Sequence, residues 1–535
     1  MATPATLPTG SLLDEKLKKS SPGKIGGIIF GILLIGGLGY IGNRLWTDLS
    51  PIHEGGSLFP YFLLGLALFI ALGFEFVNGF HDTANAVATV IYTHALEPHV
   101  AVIWSGLWNF IGVMTSSGAV AFAIITLLPV ELILRVSHGA GFSMVFALLI
   151  AAILWNLATW WRGLPASSSH TMIGSIIGVG VANQLMRGAS GTSGVDWEQV
   201  TKVFKALLFS PLVGFIGAAL MFFLFKLVLR DPRLYEAPKG TEPPPFYIRA
   251  LLVLTCTGVS FAHGSNDGQK GMGLIMLILV GTVPTAYALN HAVTAGQVQT
   301  FAAVSQQVIS TVGNYVDPNT TVADSGPELE RFISTRQFEP STMLALREIV
   351  GDIHNEVTRY KTLGGVPPNM QANVRNQMYL TSETLRLLPK YGPKMSPGDV
   401  AILKNYRTLL DTATKFIPPW VKVAVALALG MGTMIGWKRI VVTVGEKIGK
   451  THLTYAQGAS AELVAMFTIL AADGYGLPVS TTHVLSSGVA GTMAANKSGL
   501  QVSTLRDIAL AWVFTLPAAA LLSGSLFWLF NTVVK

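Results

Sequence analysis

The sequence has few charged residues, one cysteine and no nucleotide-binding loop. Only 12% of its 535 residues are charged, about half the share found in soluble domains, which excludes an ordinary soluble protein. Cys256 is the only cysteine, so an internal disulfide framework and a cysteine-based metal site are excluded. No Gly-x4-Gly-Lys-Ser/Thr segment occurs, so we do not expect ATP to supply energy.

Apolar residues dominate the chain instead. They make up 51% of it, and the mean hydropathy is +0.52. The net charge of +7 is concentrated in short loops, where Lys and Arg set membrane orientation, and indicates no nucleic-acid partner. A hydrocarbon core is crossed by about 20 helical residues. Eleven apolar runs can each cross it, namely 25–43, 58–93, 99–128, 141–161, 166–185, 203–229, 250–282, 418–438, 456–475, 478–495 and 506–530.

One pair of related motifs places a carboxylate inside two of these runs. The stretches Gly73–Asn85 and Gly258–Lys270 match at Phe, Gly and Asp, so Asp82 aligns with Asp267, 185 positions later (267 − 82). An ionisable residue at membrane depth is costly and indicates a functional site. We refer to the two stretches as the Asp motifs.

A second motif is also duplicated. Gly-Leu-Pro-Ala-Ser-Ser-Ser-His at 163–170 recurs as Gly-Leu-Pro-Val-Ser-Thr-Thr-His at 476–483, an offset of 313 (476 − 163). These are the Gly-Leu-Pro motifs. Their offset exceeds that of the Asp motifs by 128 (313 − 185), and a long polar stretch before Trp420 accounts for most of the difference. The chain is therefore predicted to be a duplicated unit with an insertion in its second copy.

The runs and motifs divide the chain into segments. The insertion has mixed charges and no spanning run, and we expect it to be mostly helical and outside the membrane on the outer face. The predicted segments are a polar cytoplasmic tail at 1–24, an extra N-terminal transmembrane helix at 25–43, transport repeat one at 58–229, a basic cytoplasmic loop at 230–249, the first part of transport repeat two at 250–282, the extramembrane insertion at 283–416 and the rest of repeat two at 418–530.

The predicted fold is all-α, with two inverted repeats of about five helices. An odd number of crossings in tandem inverts the second copy, as in many secondary transporters. Glycines beside each Asp predict a break in the helix, because unwound backbone at membrane depth lines a cavity. The count places the Gly-Leu-Pro motifs on opposite sides of the membrane, so we expect them to dip inward as re-entrant segments that meet the Asp motifs.

The Gly-Leu-Pro motifs have the composition of a helix start. Proline presets the backbone for a first helical turn, and Ser and Thr are N-cap residues. A helix N-terminus binds anions through free N–H groups and its dipole. Ser and Thr could instead serve only to pack helices closely in lipid, but the duplication favours an oxyanion site. The predicted substrate-binding residues are Ser167, Ser168, Ser169, Ser480, Thr481, Thr482, Asn85, Asn266 and Lys270.

The two aspartates indicate a co-transported cation. Asp82 and Asp267 cannot help to bind an anion unless they are protonated or paired with a cation, since burial disfavours the charged form. The alternative is a structural Asp that caps a helix. We assign ion coupling to Asp82, Asp267, Glu462 and His81, and we predict no catalytic residue and no resident metal site.

These stretches resemble the inorganic phosphate transporter (PiT) family, specifically the bacterial low-affinity phosphate permeases. The resemblance rests on Asn78–Thr89, His263–Gly271, both Gly-Leu-Pro motifs and Ala426–Lys450, and it covers about 58–282 and 418–530. It implies a multi-pass inner-membrane symporter, not an enzyme, that takes up inorganic phosphate with protons and needs no cofactor. It also implies co-transport of divalent metal such as Mg²⁺ as a metal–phosphate complex. The extra span at 25–43 departs from the usual bacterial pattern.

Other readings remain open from the sequence alone. Coupling to sodium, or transport of sulfate or another oxyanion, would suit the same motifs. An intramembrane Ser/His hydrolase is a third alternative, because serines adjoin His170 and His483, although no Gly-x-Ser-x-Gly elbow is present. The sequence also leaves open whether the chain forms a homo-oligomer.

Overall fold

The structure is a computed structural model, and helices make up most of it. It describes residues 24–50, 59–129, 133–134, 140–187, 194–238 and 242–533, without the side chains of 24–26, 60, 83–85 and 140. The predicted tail therefore lies outside the described residues up to position 23. Within the described ranges there is no strand, only an isolated bridge between Gly449 and Leu500, so the all-α fold class is confirmed.

The helices follow the predicted division of the chain. An N-terminal helix and the first repeat comprise α1 (Lys24–Leu49), α2 (Phe59–Tyr92), α3 (Pro98–Thr115), α4 (Ala119–Ile125), α5 (Ala140–Trp161), α6 (Ser168–Arg187) and α7 (Trp197–Val228). The second repeat opens with α8 (Phe246–Thr282) and resumes with α15 (Pro419–Thr433), α16 (Lys438–Val442), α17 (Tyr455–Gly474), α18 (Thr481–Ala495) and α19 (Val502–Val533).

The region between these two parts is helical and docks on the first repeat. It contains α9 (Pro284–Tyr287), α10 (Ala295–Gly313), α11 (Ser325–Thr335), α12 (Pro340–Tyr360), α13 (Pro368–Tyr391) and α14 (Pro397–Thr414). Asp196, which caps the N-terminus of α7, accepts from Arg336 at 2.8 Å and from Arg386 at 3.1 Å. The insertion is therefore joined by ion pairs to the start of the last helix of repeat one.

Fewer helices can span a membrane than the eleven predicted. Among the described residues, seven are long and apolar enough, or up to nine if two bent pairs each count as one span. The difference arises partly because α18 has only 15 residues and α6 is rich in polar and small residues. The prediction of eleven separate crossings was wrong, and the short α18 agrees with the expectation that this motif does not cross on its own.

The predicted breaks at the two Asp motifs were also wrong. Helices α2 and α8 run without interruption past Asp82 and Asp267. The glycines serve close packing instead, because a Cβ at Gly79 would lie 2.2 Å from the Leu429 carbonyl oxygen of α15. Likewise, a Cβ at Gly264 would lie 2.2 Å from the carbonyl oxygen of a residue of α3. Small residues at such crossings let membrane helices approach each other closely.

The two repeats pack by exchanging partners. Helix α8 packs on α3 while α2 packs on α15, and α6 packs on α19 while α18 packs on α7. Each of these contacts has its counterpart when α2, α3, α5, α6 and α7 are matched with α8, α15, α17, α18 and α19. The contacts therefore repeat the internal duplication found in the sequence. The opposite membrane orientation of the two repeats stays a prediction.

Candidate functional site

Asp82, on α2, joins the starts of two other helices. Its carboxylate accepts a hydrogen bond of 2.5 Å from the Ser168 hydroxyl of α6 and one of 2.8 Å from the Thr482 hydroxyl of α18. His81 Nδ1 lies 2.9 Å from the same carboxylate, and His81 Nε2 lies 3.1 Å from the Thr159 hydroxyl. Asp82 is 3% exposed. One buried carboxylate thus binds hydroxyls from both Gly-Leu-Pro motifs.

Asp267, on α8, has a different environment. The ammonium of Lys270, one helical turn later, lies 2.8 Å from Asp267 Oδ1, and both side chains are fully buried. Lys270 also donates to the Ser169 hydroxyl, which in turn donates to the carbonyl oxygen of Val479 at 2.8 Å. His263 Nε2 lies 3.5 Å from Asp267 Oδ2. The second carboxylate is therefore compensated by a fixed positive charge that also contacts the first Gly-Leu-Pro motif.

The two Asp motifs meet at the centre of the protein. Asp82, His263 and Asp267 each offer one ligand atom, and these three atoms lie within 4.8 Å of one another. Oxygen and imidazole ligands at this spacing suit a small cation. The expectation that the motifs of both repeats share one site therefore agrees with this geometry.

The Gly-Leu-Pro motifs fold alike in both repeats. Each opens with a glycine in the left-handed region, Gly163 at φ +66° and Gly476 at φ +64°, where residues with a Cβ are strained. The hydroxyl of Ser167 accepts from the backbone N–H of the residue three positions later at 3.2 Å, and Ser480 does the same at 3.1 Å. The His170 and His483 rings lie 4.5 Å apart, so the two helix starts face each other.

Comparison with known proteins identifies the family. Residues 78–523 match the phosphate transporter family, and the match includes both Asp motifs from Asn78 onward and both Gly-Leu-Pro motifs. The chain belongs to this family. It is 42% identical to the low-affinity inorganic phosphate transporter PitA of Escherichia coli K12 over 499 residues, covering 89% of this chain and 98% of PitA.

Other phosphate transporters are similar over nearly their whole length. Identity to PitB of Escherichia coli K12 is 40%, covering 89% of this chain and 98% of PitB. Identity to a probable low-affinity inorganic phosphate transporter of Bacillus subtilis is 27%, covering 88% and 97%. A solved structure titled as a sodium-dependent phosphate transporter matches with a TM-score of 0.48 and 18% identity, over 88% of this chain and 99% of that one.

The family assignment confirms several predictions. The chain is a phosphate transporter and a multi-pass inner-membrane protein, not an enzyme, so the hydrolase reading is set aside. Phosphate as the substrate and the bilayer as the environment are also confirmed. The coupling ion, the transported form of phosphate and the oligomeric state remain predictions.

The structure gathers most of the predicted residues of this phosphate transporter, but gives them unequal positions. Ser167 and Ser480 cap their own helices, and the buried hydroxyl of Thr481 has no hydrogen-bond partner among the described residues. Asn266 donates to the Leu477 carbonyl oxygen at 3.2 Å. The side chain of Asn85 lies outside the described ones.

Glu462 is buried away from the contacts just described. It accepts a hydrogen bond of 2.5 Å from the Thr255 hydroxyl of α8, and its other carboxylate oxygen has no hydrogen-bond partner among the described residues. A buried, half-satisfied carboxylate fits an ion-coupling role. That role for Glu462 stays a prediction.

Two groups of polar contacts at the site were missed by the sequence analysis. Asp473, at the end of α17, accepts from Ser265 at 2.7 Å and from Gln269 at 2.5 Å, which ties α17 to the second Asp motif. Asn109 of α3 lies 2.6 Å from His263 Nδ1. A signal existed for Asp473, which lies three residues before a Gly-Leu-Pro motif. No comparable signal marked Asn109.

Proposed function

We propose that the protein is a secondary symporter that takes up inorganic phosphate with protons. The observation that carries this proposal is the pair of hydrogen bonds from Ser168 and Thr482 to Asp82. The two hydroxyls stand at two facing helix starts, where an oxyanion binds well, and both are held by a carboxylate that can take up a proton. Substrate donors and the coupling group are thus in direct contact.

This contact couples the two ions. While Asp82 is ionised it engages both hydroxyls as an acceptor and repels an anion nearby. When Asp82 binds a proton, the repulsion disappears and the hydroxyls can turn to donate to phosphate. Each ion therefore favours binding of the other, and such coupling is reciprocal in binding free energy.

Alternating access would use the exchanged packing of the repeats. Helices α6 and α18 carry the hydroxyls, and each packs on the last helix of the other repeat. A rocking motion of one repeat against the other would carry both helix starts past Asp82. The inverted orientation of the repeats, which we retain in this proposal, would give the two end states opposite openings.

A divalent metal–phosphate complex is a second candidate for the transported species. The specific observation in its favour is the cluster of ligand atoms from Asp82, His263 and Asp267. The Lys270 ammonium already pairs with Asp267, so we expect a metal carried on phosphate to lie on the Asp82 side.

Proteoliposomes that contain the purified protein provide the test. We expect phosphate uptake to increase with an inward proton gradient and with Mg²⁺, and to be indifferent to Na⁺ at constant pH. We expect arsenate to compete and sulfate not to compete. Strict dependence on sodium would refute proton coupling while leaving phosphate transport intact.

A further inference from the structure

The two aspartates have different partners at equivalent positions of the repeats. The offset of 185 that aligns Asp82 with Asp267 also aligns Asn85 with Lys270 (270 − 85). Lys270 is 0% exposed and its ammonium lies 2.8 Å from Asp267. Asp82 is bonded to His81, a residue that can gain or lose its charge. Only the second repeat therefore carries a permanent cation at its carboxylate.

We propose that the Lys270 ammonium is a built-in cation that occupies one of two symmetry-related cation positions. Asp267 then cannot take an exchangeable cation, and ion coupling runs through Asp82 alone. This inference rests on the proposed symport function and assigns Lys270 a role in ion specificity, in place of the oxyanion contact expected from the sequence.

The contacts of the ammonium are those a bound alkali cation would make. Its neighbours are the carboxylate of Asp267 and the hydroxyl of Ser169, next to the Val479 carbonyl that accepts from that hydroxyl. Carboxylate, hydroxyl and carbonyl oxygens are the ligands that hard cations prefer. A lysine is a compact point charge on a flexible chain, so it can replace an ion without rearranging these atoms.

Charge balance gives the same conclusion. A buried carboxylate needs a nearby positive charge, and removing one member of a buried pair is far more costly than removing both. A second cation at Asp267 would lie close to the ammonium and be repelled by it. The fixed pair therefore excludes exchangeable cations from this half of the site.

The first experiment compares three variants in proteoliposomes: Asp267→Asn, Lys270→Met and the double variant. Each single variant leaves one buried charge uncompensated, and we expect phosphate uptake per inserted protein to decrease by about tenfold or more. We expect the double variant, which keeps the net charge, to recover to within about tenfold of the unaltered protein. If the double variant is no better than the worse single variant, Lys270 acts on phosphate and the inference is wrong.

The second experiment measures cation binding without transport. Lys270→Asn places in repeat two the residue that repeat one has at Asn85. We expect the melting temperature of this purified variant to rise by about 2–4 °C when NaCl replaces choline chloride at constant ionic strength. The unaltered protein should show no such shift. An unresponsive variant, or an equal shift in both proteins, would overturn the inference.

Failure of the proposed symport function is recognised separately. It would appear as loss of the proton-driven uptake of the unaltered protein, which neither experiment on Lys270 affects.

Discussion

Replacing Asp82 by asparagine tests the proposed coupling most directly, because it keeps the shape of the side chain and removes its charge. Asp82 accepts hydroxyl hydrogen bonds of 2.5 and 2.8 Å. A phosphate oxygen that accepts from the same hydroxyls would lie roughly 5 Å from the carboxylate, about two hydrogen-bond lengths. Two unit charges at that distance repel by about 3 kcal/mol at an effective dielectric constant of about 20, which corresponds to roughly 100-fold in affinity.

Asp82→Asn should therefore separate phosphate binding from energy coupling. We expect phosphate to bind at neutral pH as tightly as to the unaltered protein, or up to about 100-fold more tightly, with little dependence on pH. We expect exchange of phosphate across the membrane to persist while proton-driven net uptake is lost. The assays are calorimetric binding at acidic and neutral pH, together with exchange and net uptake in proteoliposomes.

The control for this experiment is Asp507→Asn, which changes a half-exposed aspartate paired with Arg506 and should leave all three measurements unchanged. The reasoning would be refuted by undiminished proton-driven uptake in Asp82→Asn. It would also be refuted by weakened phosphate binding with no exchange, since the carboxylate would then be needed for the substrate itself.

Three further predictions concern packing, the hydroxyls and topology. Gly79→Ala should destabilise the protein by about 1–3 kcal/mol through overpacking, whereas Gly73→Ala, which meets nothing within 4 Å, should not; thermal unfolding distinguishes them. Thr482→Val removes a donor to the central carboxylate and should weaken apparent phosphate affinity by about tenfold, whereas Thr481→Val should have a smaller effect in the same uptake assay. Single cysteines at 330–400, in a background lacking the native cysteine, should react with impermeant reagents only from outside.

The sequence predicted which motifs would meet, because each motif occurs twice. A duplicated carboxylate and a duplicated helix start in one membrane protein have few arrangements other than a shared central site. The hydrogen bonds of Ser168 and Thr482 to Asp82 agree with that expectation. The duplication carried more information than the composition of either motif alone.

The state of the backbone beside the aspartates could not be predicted in the same way. Glycine next to a buried polar residue fits both a broken helix and a close crossing of intact helices. Only the position of the neighbouring helix decides, and at Gly264 that neighbour is the backbone of Asn109, 155 positions earlier in the chain (264 − 109). No local pattern contains that distance.

The unequal partners of the two carboxylates suggest how one proton can act on both repeats. Lys270 contacts Ser169 beside the Val479 carbonyl, so α8 is connected to both Gly-Leu-Pro motifs by a charge that does not change during transport. Asp82 contacts both motifs through a group that does change. Protonation of Asp82 would therefore release α2 from α6 and α18 in one step while α8 stays attached to them. Under the proposed mechanism, the moving contact during transport lies between α2 and the two helix starts.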